Sequence, residues 1–540
     1  MKIFYSLCLC LCVGFSAIAQ ERYIDDVFTD VTVTSDVTYG TNATILFLPQ
    51  VGELIPQDLK MDIYEPAGDT ETARPVVLVF HTGNFLPNVT NGQIAGTKED
   101  NSSVEICTRL AKKGYVAASV TYRQGWNPLA QTQPERALGL IQAAYRGVQD
   151  GRNAIRFMKT EAATYGIDEN KVAVWGNGTG GYLTLGLVGL SDYLEIVQTT
   201  NTPGKFLLDL DGDGTPETPM VVPTYHGDIN GEVLTIAPDA AFGFPAGDTS
   251  NYVNYAGVSN EFALGINIGG DLGDISWLND NTTPTITVQS AFDQFAPYND
   301  GVLVVPTTGD PIVQVQGAQQ IGAAQDAAGN NDLWKDIDWS NDAATQTAIA
   351  NSVTAGHPYY EGVYPWVKDP NSLGIDEGVV IDWWNEDDAS PANGAGMGIP
   401  WNQLPHPSGG TFHEQGLVLN ENMSAEKANA NIDDIFAYVI PRACIALDLG
   451  CSTVAVEEVL EDQSFITASP NPASDVITIT SADQTMESIR LYNMNGGIVQ
   501  YAQNVNTNTY AINRNGLPAG IYFAKIKFEQ GIATQKVVFK

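Results

Sequence analysis

Up to about residue 450, short continuous apolar runs alternate with longer stretches in which apolar positions recur at helical spacing, the rhythm of buried strands followed by amphipathic helices. Strands are expected near Val31 to Tyr39, Lys60 to Tyr64, Val76 to Phe80, Val116 to Tyr122 and Lys171 to Trp175. Helices are expected through Val104, Cys107 and Leu110, over about Arg136 to Thr164, and from Tyr182 to Leu190. This order predicts an α/β domain with a mainly parallel sheet covered on both faces. From about Ser464 the period changes to two, as in Val476-Ile477-Thr478-Ile479-Thr480, with Asn/Gly turns between runs. That tail reads as a small all-β sandwich.

The ends refine this division. Lys2 precedes an apolar run that closes on Ala17-Ile18-Ala19, so residues 1–19 read as a secretory signal rather than a membrane anchor, the run being too short to span a bilayer. No later segment is apolar enough to cross. The expected domains are an α/β domain over 20–456, an acidic linker over 457–463 and the β tail over 464–540. Three of the six cysteines leave with the signal, and of Cys107, Cys444 and Cys451 the last two are close in sequence and expected to pair in an oxidising compartment. The formal charge of −37, from 26 basic and 63 acidic side chains, argues against nucleic acid as a partner. The acidity belongs to the larger domain, because residues 462–540 carry six basic and five acidic side chains.

The fifth strand runs into Gly176-Asn177-Gly178-Thr179-Gly180 and then a helix, the strand–turn–helix layout of a nucleophile elbow. In G-x-S-x-G the central residue projects from the sheet edge; here that residue is Gly178, and the nucleophile position is vacant. The surrounding motifs LVFHTGNF, VTYRQGWNP and YRGVQDGRNAIRFMKTEAATYGIDENKVAVWGNGTGGYL resemble the carboxylesterase and acetyl-xylan or feruloyl esterase-like branch of the α/β hydrolases, over roughly 55 to 440. The resemblance implies an α/β-hydrolase sandwich, an oxyanion loop at His81-Thr82-Gly83-Asn84, and backbone donors from Gly83, Asn84 and Thr179. Thr82 and Asn84 depart from the usual glycines. In the tail, SPNPASDVITI, SIRLYNMNG, NGLPAGIYFAKI and the closing QKVVFK resemble the C-terminal sorting domain of type IX secretion substrates. That implies passage through the periplasm and outer membrane to the cell surface or medium, with the secretion machinery as partner. A carbohydrate-binding module would need an aromatic platform that Tyr492, Tyr501, Tyr510 and Tyr522 do not obviously form.

The fold asks for an acid after a late strand and a histidine before the last helix. Asp293, after the strand Thr285 to Gln289, resembles the acid, with Asp300 as second choice. The histidine is His413, with His357 as rival and His406 and His226 behind them. Trp366, Trp383, Trp384 and Trp401, in the insertion between, form either an aromatic wall or core. No cofactor is required; a structural calcium is the one metal considered, at Asp209, Asp211 and Asp213 with Glu217 replacing the missing carboxylate of a calcium loop, against a plain Asp/Gly turn. Three functions stay open: a secreted pseudoenzyme that binds a small ester or glycan, an ester hydrolase using Thr179 or an activated water, and a structural surface protein.

Overall fold

The computed structural model describes residues 21–88, 90–209, 212–304, 309–367, 381–389, 398–451 and, with short breaks, 465–540. The expected signal segment, its three cysteines, the linker 457–463 and Asp211 lie outside the described residues. The chain divides into two compact units, Met1–Thr453 and Val454–Lys540.

In the first unit, eight strands form one sheet: β1 (Val31–Thr44), β2 (Ile55–Pro66), β3 (Arg74–Phe80), β4 (Val116–Val120), β5 (Ile167–Asn177), β6 (Leu264–Ile268), β7 (Thr285–Ser290) and β8 (Val363–Trp366). Their spatial order is β1-β2-β4-β3-β5-β6-β7-β8. β2 runs antiparallel to β1 and β4, and the pairs from β4 through β8 are parallel. β3 is buried at every residue, as its unbroken apolar run requires of a strand covered on both faces. β1 extends past Tyr39 to Thr44 through small and polar residues that are mostly buried but form no apolar run, and β2 starts earlier than expected, at Ile55, through partly exposed residues paired with that end of β1.

The principal helices are α1 (Asn101–Lys112), α2 (Gln133–Thr160), α3 (Thr179–Gly189), α4 (Ala318–Ala328), α5 (Ala343–Thr354), α6 (Phe412–Leu419) and α7 (Ala425–Ala446). α2 opens on a capping box in which Thr132 accepts from the Glu135 amide while the Glu135 side chain returns to the Thr132 amide. Crossover handedness then fixes the faces. The β3-to-β4 connection runs one way along the sheet and the β4-to-β5 connection the other, so right-handed crossovers put α1 and α2 on opposite faces. α3 joins α2, and α7 joins α1, where Arg109 bonds both Asn429 and Asp433. β5 therefore delivers its C-terminal end to the middle of the sheet's edge.

Cys444, near the end of α7, is joined to Cys451, with Cα atoms 6.1 Å apart, and Cys107 is a buried free thiol on α1. The second unit holds antiparallel sheets of three and four strands around a core that includes Ile477, Ile479, Leu491, Ile526 and Val537. Among the described residues, no helix is long and apolar enough to cross a membrane.

Candidate active site

β5 ends at Asn177, and the chain turns at Gly178 with φ +51° and ψ −112° before α3 begins at Thr179. A side chain pays for such a backbone in strain; glycine adopts it freely, and here no side chain gains from the turn. The turn is tied down by the Gly178 amide, which donates to the Ile268 carbonyl at 2.7 Å, and by the Gly178 carbonyl, which accepts from Gly181 at 2.8 Å. The second bond explains why α3 starts three residues before the apolar helix pattern.

Gly178 opens onto a cavity of about 310 Å³ whose wall also includes Thr82, Asn84, Thr179, Tyr182, Asp271 and Asp293. The structure thus brings Gly178, two residues of the expected oxyanion loop and the expected acid to one cavity. Asp293 follows β7 and accepts from the amides of Phe295 at 2.7 Å and Ala296 at 3.0 Å. Asp300 instead begins a ribbon strand and accepts from Gln314 and Gln316.

Threonine hydroxyls from the expected oxyanion loop and from the start of α3 stand against the backbone amides here. The Asn84 amide, at φ +55°, donates to Thr179 Oγ1 at 2.7 Å, and the Thr179 amide points at Thr82 Oγ1 at 3.5 Å. Two of the backbone amides expected as oxyanion donors are thus turned toward threonine hydroxyls, one closely and one at the limit of a hydrogen bond. The Thr179 hydroxyl is correspondingly engaged as an acceptor. Gly83 packs against the neighbouring loop, where a Cβ would stand 2.8 Å from the Gly96 Cα. His81 is buried, stacks on Tyr122 and bonds the Thr82 carbonyl; burial lowers its pKa to about 4, so it braces the loop as a neutral ring.

His413 sits in the first turn of α6, which opens on a Thr411–Glu414 capping box. Its Nδ1 accepts from Trp384 Nε1 at 3.1 Å, which places the ring proton on Nε2, 2.9 Å from Glu386. Both ring nitrogens are therefore committed to the insertion. His413 is not among the described residues lining the cavity, although its neighbour Phe412 is. His357 lies before β8 beside Tyr298 and is likewise absent from that wall. His226 is packed among Tyr145, Phe242 and Phe244, its pKa lowered by burial to about 4, and His406 bonds the Gly92 carbonyl. Of the four tryptophans, Trp383 and Trp384 line the cavity, whereas Trp366 and Trp401 are core residues.

Several polar groups in the wall escaped sequence reasoning. Asp271 follows β6 in Gly269-Gly270-Asp271 and accepts from Gln289 at 2.7 Å and Tyr182 at 3.0 Å. Burial, with the Asp293 charge nearby, raises its pKa well above the usual carboxylate range despite those bonds. Its place after a buried parallel strand was the available signal. Asp382 accepts from Ser102 at 2.7 Å, and burial lifts its pKa to about 6. Asp100 is raised too, by burial and by Asp382. Nothing local in sequence relates Asp100 to Asp382. Away from the cavity, Asp209, Asp213 and Glu217 are exposed, with oxygens within 4.8 Å of one another, and Asp209 accepts from the amides of Gly212 and Gly214.

Residues 61–205 match the family model described as BD-FAE, and residues 468–540 match that of the secretion system C-terminal sorting domain. The chain carries an esterase-like α/β-hydrolase domain and a C-terminal sorting domain. The mainly parallel sheet of the larger domain accords with that assignment, and the sorting domain marks the protein for type IX secretion to the cell surface or beyond, through handling by the secretion machinery. No curated protein matches the chain. Among solved structures, a truncated carbohydrate esterase from gut microbiota is 14% identical over 56% of this chain and 86% of its own, with a TM-score of 0.28. Esterase 2 of Thermogutta terrifontis, phosphoramylated by tabun, is 16% identical over 56% and 80%, with a TM-score of 0.27. A bifunctional GH43-CE protein of Bacteroides eggerthii is 16% identical over 54% and 31%, with a TM-score of 0.29.

Proposed function

We propose that this secreted α/β-hydrolase domain binds a small ester or glycan in the cavity at Gly178 and does not turn it over by an acyl-serine mechanism. The observation that carries the reading is Gly178 itself: the elbow backbone is present, and no hydroxyl stands on it. The threonine hydroxyls facing the Asn84 and Thr179 amides, and the engagement of His413 with Trp384 and Glu386, support it independently. Removing a triad member leaves only the roughly 10³–10⁴-fold rate over water that binding and the oxyanion hole supply.

The test is active-site labelling. The purified protein should fail to react with an organophosphorus probe and should hydrolyse short acyl esters no faster than Asp293→Asn and His413→Ala. Gly178→Ser alone should restore little turnover, because the oxyanion amides still face Thr82 and Thr179. Wild-type turnover that disappears in His413→Ala would establish a working hydrolase with an activated water and overturn the reading.

On the same reading, Asp209, Asp213 and Glu217 are the ligands that a structural calcium ion would take. Calcium should then raise Tm by several degrees and Asp209→Asn should abolish the shift. An unchanged Tm leaves the segment as a plain turn.

A further inference from the structure

The cavity changes chemistry from one face of the sheet to the other. On the side of α1 and α6 its wall includes Asp100, Ser102, Asp382, Trp383 and Trp384. These are tied together: Ser102 bonds Asp382, Asn101 bonds the Trp383 carbonyl, and Asn420 bonds the Asp382 carbonyl. On the side of α2 and α3 the wall includes Leu140, Val148, Leu190, Phe206, Trp277 and Val315, all buried in the domain core. Gly178 stands between the two groups, because the end of β5 lies at the middle of the sheet's edge and α1 and α2 flank opposite faces. In an elbow the central residue projects from the sheet edge, and here that residue is a glycine lining the cavity, with no side chain to divide it.

We propose that Gly178 joins the two chambers into one channel over the sheet's edge, and that the channel takes an uncharged amphipathic ligand. Its hydroxylated head, a sugar ring, lies against Trp383 and Trp384 with its hydroxyls on Asp100 and Asp382, and its apolar arm passes over Gly178 into the chamber beneath α2. This rests on the binding reading above and extends it to the class of ligand. Aromatic faces beside carboxyl acceptors suit a sugar, whose C–H faces are apolar and whose rim carries donors. A carboxylate head is disfavoured there, since it would add a third acid beside Asp100 and Asp382. The far chamber offers an arm no polar partner among its six named apolar side chains, so affinity there grows with buried methylenes, each worth roughly fourfold.

Calorimetry with the full chain tests this, using octyl glucoside below its micelle concentration, methyl glucoside and octanoate. The wild type should bind octyl glucoside about 100-fold or more tighter than methyl glucoside, and octanoate more weakly than octyl glucoside. Ala144→Phe, which fills the α2 chamber wall, should remove most of the octyl advantage while leaving methyl glucoside unchanged. Gly178→Ser should weaken octyl glucoside about tenfold. Equal affinities of the two glucosides for the wild type, or an octyl advantage that survives both variants, would overturn the channel and leave the binding reading intact. Failure of the binding reading shows separately, as wild-type ester turnover.

Discussion

Adding one methyl group at Gly180 should destabilise the hydrolase domain by about 3 kcal/mol or more, at the top of the range for overpacking a core. A Cβ there would stand 2.1 Å from the Phe80 carbonyl oxygen and 2.9 Å from that of His81. Both are backbone atoms of β3 and the loop after it, so no rotamer relieves the contact; α3 must lift off the sheet. The matched control is Gly139→Ala on α2, where the nearest atom is Trp126 Cδ1 at 3.2 Å. There the crowding is mild and the gain in helix propensity of about 1 kcal/mol opposes it, so stability should hardly change. Denaturant unfolding of the two variants compares them directly, and a Gly180→Ala protein as stable as Gly139→Ala would mean that the close strand–helix contact is not required.

Asp150→Ala should be as severe, costing about 3–5 kcal/mol, because it leaves the Arg123 guanidinium buried without its counter-ion. Both side chains are fully buried. Asp150, on α2, accepts from the Arg123 amide at 2.7 Å and from its Nε at 2.9 Å, while the guanidinium also reaches Gln149 Oε1 and the Ala43 carbonyl. The pair thus ties the end of β4 to α2 and β1. Burial still holds the Asp150 pKa above the usual carboxylate range in spite of Arg123, a sign that attraction only partly offsets desolvation. The double replacement Arg123→Met with Asp150→Leu should therefore be far less damaging than Asp150→Ala alone. Additive losses in that double-mutant cycle would show that the two residues act separately.

The fold was legible because its signals are local. Unbroken apolar runs such as Val76 to Phe80 mark strands buried on both faces, and the glycines after Trp175 mark the turn. Helix and strand limits slipped where tertiary context decides them: β1 runs on to Thr44 through polar residues that are buried without forming an apolar run, and α3 begins inside the elbow. The site was legible only where a residue follows directly from a strand. Gly178 and Asp293 do, and they share a cavity. His413 comes from a helix after a long insertion, so its partners Trp384 and Glu386 depend on how that insertion folds back. The Ser102–Asp382 bond spans 280 residues, and no spacing rule reaches across it.

The bond between Cys444 and Cys451 has a mechanical consequence. The tail that addresses this protein for export joins the hydrolase domain just after Cys451, so a pull on the tail arrives there first. The cross-link carries that load past Leu447 and Asp448 into Cys444, a buried residue on α7 whose helix is pinned to α1 through Arg109. A pull on the tail would then be shared with the domain core instead of peeling the last turn of the helix residue by residue.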